Sequence, residues 1–72
     1  MNLKEIIFMV EDEPEGGFTA NALGYSIYTQ ADTWEELKRN INDAIGCHFD
    51  SPEEIPKVVR LHYVQEEMYA YA

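Results

Sequence analysis

The 72 residues predict a small α+β domain: a three-stranded antiparallel meander, one long helix packed on one sheet face, and then a fourth strand, in the order β-β-β-α-β. Three observations predict it. Only one segment, 29–49, carries apolar residues at the three-and-four spacing that gathers side chains onto one helix face. Short runs rich in β-branched and aromatic residues lie on both sides of it, separated by glycine and proline clusters. No internal repeat, linker or low-complexity stretch divides the chain, so residues 1–72 read as one domain.

The first strand is expected over 4–11. Ile6, Phe8 and Val10 share one of its faces and Ile7 and Met9 the other, so the strand is central or covered on both sides. Asp12-Glu13-Pro14-Glu15-Gly16-Gly17 has the composition of a hairpin tip. The second strand, 18–23, alternates Phe18, Ala20 and Ala22 against Thr19 and Asn21, and Gly24 closes it. A third strand over 25–31 sets Tyr25 and Ile27 against Ser26, Tyr28 and Gln30 and runs straight into the helix start. The small Ala20 and Ala22 leave room for large side chains of the helix, Trp34 and Ile41 foremost.

The helix is the best signalled element. Trp34, Leu37, Ile41, Ala44, Ile45 and Phe49 form its apolar stripe. Thr33 followed three residues later by Glu36 matches a capping box, with Asp32 as the competing cap. Glu35 and Arg39 stand four apart in the favourable order, and the early acids suit the helix dipole. Gly46 weakens the far end and Ser51-Pro52 stops the helix. After a loop over 51–57, Val58–Val64 is the fourth strand, with Val59, Leu61 and Tyr63 on one face and Val58, Arg60, His62 and Val64 on the other. Residues 68–72 either add a short fifth strand or trail beyond the sheet. The predicted structural core is Phe8, Ile27, Trp34, Leu37, Ile41, Ile45 and Leu61.

Composition narrows the function classes. A net charge of -9 and only five basic residues, dispersed along the chain, argue against a nucleic-acid surface. The same charge suits a basic protein partner. One cysteine cannot form an internal disulfide, and no basic segment precedes an apolar run of signal-peptide type, so the chain reads as cytoplasmic. Its longest apolar run, 6–10, is far short of the roughly 20 residues that cross a bilayer.

Candidate chemistry is sparse. The acids of 11–15 lack the oxygen spacing of a divalent-ion loop and read as a solvated hairpin tip. Cys47-His48 with His62 lacks the closely spaced second pair of a structural zinc site, and the bland reading packs the helix-end pair against the last strand. A two-metal nuclease needs carboxylates converging from different strands, and Glu5, Glu11, Asp32 and Asp43 are the nearest acids available. The five tyrosines serve better as interface residues than as base-stacking platforms on so acidic a chain. No catalytic, metal or cofactor site and no small-molecule substrate is expected.

The first strand with its acidic end, Glu15-Gly16-Gly17-Phe18-Thr19-Ala20, Ala22-Leu23-Gly24-Tyr25-Ser26-Ile27-Tyr28-Thr29-Gln30-Ala31-Asp32-Thr33, Glu35-Glu36-Leu37, Asn40-Ile41, Asp43-Ala44-Ile45 and Arg60-Leu61-His62-Tyr63-Val64 together resemble the HicB-like antitoxin family. The resemblance spans nearly the whole chain. It rests on turns, caps and core stripes, which specify a fold better than an activity. It implies a partial ribonuclease H-like fold and a non-enzymatic, toxin-neutralising protein of a type II toxin-antitoxin system, set against a small basic RNA-cleaving toxin. The alternative is a metal-dependent nuclease of ribonuclease H-like fold. Full antitoxins of that family add a DNA-binding domain, and after Val64 too few residues follow for one, so no DNA partner is expected.

A domain this small is near the size at which one core barely suffices, so burial against a partner is expected. Ile7, Met9, Tyr28, Val58 and Val64 form the candidate dimer or partner surface, because one helix can cover only one sheet face. The expectation is a homodimer using the sheet's surface or edge, unless 68–72 folds back over the patch.

Overall fold

In the computed structural model, which describes residues 4–65 and 69–71, the element order is the expected one. Strands β1 (Glu5–Asp12), β2 (Phe18–Ala22) and β3 (Tyr28–Ala31) precede helix α1 (Trp34–His48), and β4 (Val58–Val64) follows it. The strands form one mixed sheet in the order β3-β2-β1-β4. β1 pairs antiparallel with β2, and β2 with β3, which makes the meander; β4 pairs in parallel with β1. β1 is therefore central, as apolar residues on both its faces required.

The helix rests on β2 and β3. Leu37, Ile41 and Ile45 from α1 meet Ile6, Phe8 and Val10 from β1, Ala20 from β2, Ile27, and Ala31 from β3. Phe8, Leu37 and Ile41 are the largest wholly covered side chains beside Ile6 and Val10. Thr33 is the cap, its hydroxyl accepting from the Glu36 amide at 3.2 Å, so Asp32 is left free of that role. The helix ends at His48, before the proline, which instead opens a single 3-10 turn, Pro52–Glu54.

Three expectations need correction. The third strand begins at Tyr28, not Tyr25: Gly24 takes φ +82°, the left-handed region glycine favours, and the Ala22 amide donates to the Ile27 carbonyl at 3.0 Å, turning 23–27 into a loop. The second strand accordingly stops at Ala22, with the Leu23 amide donating to Ile7 at 2.8 Å. Trp34 and Leu61 are half-buried against the core instead of inside it. Trp34 stands on the first helical turn, beyond the alanines, and packs edge-on against Phe18 at 5.4 Å and tilted against Tyr63 at 5.3 Å.

At the other end, 69–71 forms no strand and covers nothing: Tyr69 is 84% exposed and Tyr71 99%. Met68 and Ala72 lie outside the described residues.

Candidate functional site

The molecule has two candidate surfaces, one on the open sheet face and one at the hairpin tip beside the helix start. On the face opposite α1 the side chains of Ile7, Met9, Tyr28, Val58 and Val64 do share one side, as their parity in the register requires. They do not merge into one apolar patch. Arg60 stands beside Ile7, His62 and Asn21 flank Met9, and Glu11 stands beside Val64. Of the five, Ile7, Met9 and Val58 are half-buried, and only Tyr28 and Val64 are exposed. Two contacts that sequence reading missed come from the parallel pairing of β1 with β4. The Arg60 guanidinium forms an ion pair with Glu5, whose hydrogen bond and charge raise the arginine's pKa further. The Tyr63 hydroxyl donates to Asp12 Oδ1 at 2.6 Å, and this bond, with some burial, raises the tyrosine's pKa above its ordinary 10.0.

The second surface is a concave one. The turn after β1 closes with the Gly16 amide donating to the Glu13 carbonyl and the Glu13 amide to the Gly17 carbonyl, each at 3.0 Å. Gly17, at φ +90°, lies so close to the β3–α1 junction that a Cβ there would stand 2.6 Å from the Ala31 carbonyl oxygen. That approach brings the hairpin tip against the helix start. Glu13 and Glu15 from the tip, Asp32 before the cap and Glu36 on the first turn then line one cleft of about 390 Å³, together with Phe18. Four carboxylates and no basic side chain line it, so it favours cationic groups. The sequence marks each acid but not their convergence, which depends on Gly17 seating against Ala31.

The remaining candidates are scattered. Glu5 and Glu11 share the open face but stand six residues apart on one strand, about 20 Å. Asp32 belongs to the cleft and Asp43 to the exposed side of α1. Cys47 is exposed, and His48 packs against Tyr25 and Phe49 at 5.8 and 5.0 Å, not against the last strand; Tyr25 can reach it because 23–27 is a loop. His62 lies on the opposite side of the sheet. Among the described residues no group of three or more His, Cys, Asp or Glu side chains is close enough to hold a metal ion, and no helix is long and apolar enough to cross a membrane.

No family model matches the chain, and no solved structure does. It is similar to a UPF0150 protein of Thermotoga maritima, 46% identical over 63 residues that cover 88% of this chain and 87% of that one. A UPF0150 protein of Archaeoglobus fulgidus is 54% identical over 48 residues, 67% of this chain and 71% of that one. At that identity over most of both lengths, the chain belongs to the UPF0150 family.

Proposed function

We propose that this chain is a cytoplasmic, non-enzymatic interaction module that binds and neutralises a small basic RNA-cleaving protein, the role implied by its resemblance to HicB-like antitoxins. The observation that carries the proposal is the cleft of Glu13, Glu15, Asp32 and Glu36. A ribonuclease must present Lys and Arg to the phosphates of its substrate, and an acid-lined concavity on a chain of net charge -9 competes for those groups. Phe18 supplies an apolar surface against which an arginine or lysine stem can pack. The chain is a homodimer in this reading, and duplex DNA is not its target, because its five basic residues are dispersed.

The test first asks whether the adjacent reading frame encodes a small basic protein, and then uses that protein with a labelled messenger RNA. Stoichiometric addition of this chain should abolish cleavage, and Glu13→Lys with Glu36→Lys should weaken the inhibition at least tenfold. The reading fails if the wild-type chain leaves cleavage unchanged. It also fails if the chain alone cuts RNA with magnesium or manganese and loses that activity in Glu11→Ala or Asp32→Ala.

A further inference from the structure

The two edges of the sheet are treated differently. β3 is four residues long, α1 packs on it, and Asn40 Nδ2 of the helix donates to the Gln30 carbonyl at 3.0 Å. β4 is seven residues long, pairs on one side only among the described residues, and has no proline, and its single full charge, Arg60, is paired with Glu5. Natural edge strands are normally blunted by shortness, charge or cover. Among the described residues β4 is neither short nor covered, its one charge is neutralised by Glu5, and Val59 (39%), Tyr63 (36%) and Val64 (41%) are exposed along it. The Val58 amide donates inward to Lys4 at 3.2 Å, so by alternation the N–H and C=O groups of Val59, Leu61 and Tyr63 point out from the edge.

We infer that β4 pairs antiparallel with β4 of a second copy, about a two-fold axis at Leu61, joining the two four-stranded sheets into one. Charge selects the occupant. The chain carries 14 acids, yet none falls in Val58–Val64; of the three on the neighbouring β1, Glu5 and Asp12 are engaged by Arg60 and the Tyr63 hydroxyl, and Glu11 stands beside Val64 one strand in from the edge. This strand is thus where two strongly acidic copies can meet without opposing carboxylates. Register selects the axis. Centred on Leu61, Val58 faces Val64 of the second copy, Val59 faces Tyr63, and Leu61 faces itself, so all seven residues pair and the outward groups of Val59, Leu61 and Tyr63 meet their counterparts. Centring on Arg60 would set two arginines directly opposite, and centring on His62 would leave Val58 and Val59 unpaired. The face opposite α1, by contrast, is broken by Glu11, Asn21, Arg60 and His62.

This assignment specifies the homodimer of the proposed reading and does not depend on the basic partner, whose inhibition is read in a separate assay. Sedimentation equilibrium of the full chain at tens of micromolar should give twice the 8.3 kDa chain mass. Val59→Glu with Val64→Glu, both at exposed positions, should return it to one chain mass with an unchanged far-ultraviolet spectrum, while Met9→Lys stays dimeric. In the wild type the amides of Val59, Leu61 and Tyr63 should exchange roughly tenfold more slowly with deuterium at high concentration than on dilution, which decides the matter even where the double variant fails to fold. A single-chain mass at every concentration overturns the inference. So does a dimer that survives the double variant, a dimer lost in Met9→Lys alone, or exchange at the three amides that ignores concentration.

Discussion

Substituting Gly17 by alanine tests the contact that builds the cleft. An alanine at φ +90° sits in the left-handed region, which costs an L residue about 1–2 kcal/mol. Its Cβ would also stand 2.6 Å from the Ala31 carbonyl oxygen and 3.3 Å from the Asp32 Cα, both backbone atoms that yield only if the β3–α1 junction moves. Overpacking of that kind adds about 1–3 kcal/mol. The sum, about 2–5 kcal/mol, is a large part of the roughly 4–11 kcal/mol expected of a 72-residue domain. Gly24→Ala is the internal control, because its φ is +82° but nothing lies within 4 Å of the added Cβ, so only the first cost applies. Urea denaturation at one fixed protein concentration separates them. With a slope of about 1 kcal/mol per molar, the midpoint should fall by about 1–2 M for Gly24→Ala and about 2–5 M for Gly17→Ala. Equal midpoints for the two variants would refute the close approach of the hairpin tip to Ala31.

Leu37→Ala and Ile41→Ala should each destabilise by about 2–5 kcal/mol, as truncation of wholly buried aliphatic side chains does, whereas Lys38→Ala, exposed between them, should change the urea midpoint by less than about 0.5 kcal/mol equivalent. For Tyr63 the sign follows from its raised pKa: the bond to Asp12 stabilises the fold fully below pH 10.0, the ordinary tyrosine value, and that contribution is lost as pH rises through the folded value. Thermal melts of the wild type should therefore fall more steeply above pH 10.0 than those of Tyr63→Phe, and parallel curves would show that the bond is not made.

How much of this was legible depends on the range of the interaction. The helix and β4 stand where the residues indicated, because a three-and-four stripe, a Thr33 cap and a proline-bounded β-branched run are local signals. Tyr25-Ser26-Ile27 misleads because its alternation is strand-like, while the left-handed Gly24 and the Ala22–Ile27 hydrogen bond set its path. Trp34 misleads in another way. Periodicity places it on the buried stripe but says nothing of how far the sheet extends beneath the first turn, and there it meets Phe18 and Tyr63. Glu5 with Arg60 and Asp12 with Tyr63 are more than fifty residues apart, and only the parallel register of β1 with β4 brings each pair together. The acidic cleft was illegible because its acids converge only through the close approach of Gly17 to Ala31.

The two proposed surfaces constrain each other. The cleft is built from the tip after β1, the starts of β2 and α1, and the end of β3; the pairing edge is β4, whose Tyr63 packs on the cleft residue Phe18 at 5.8 Å. The carboxylates of the cleft come from the hairpin tip and the β3–α1 junction and not from β4, so a two-fold axis through the β4 edge leaves the two acidic linings separate. A basic partner bound in one cleft does not block the other, so the complex should hold two partners per dimer. Two clefts on one rigid sheet also give a dimeric partner a second, intramolecular binding event, and avidity then exceeds the affinity of either cleft. Mass measurement of the saturated complex decides the geometry. Two chains with two partners fit separate clefts, whereas two chains with one partner would mean that the clefts share a single target and would refute that separation.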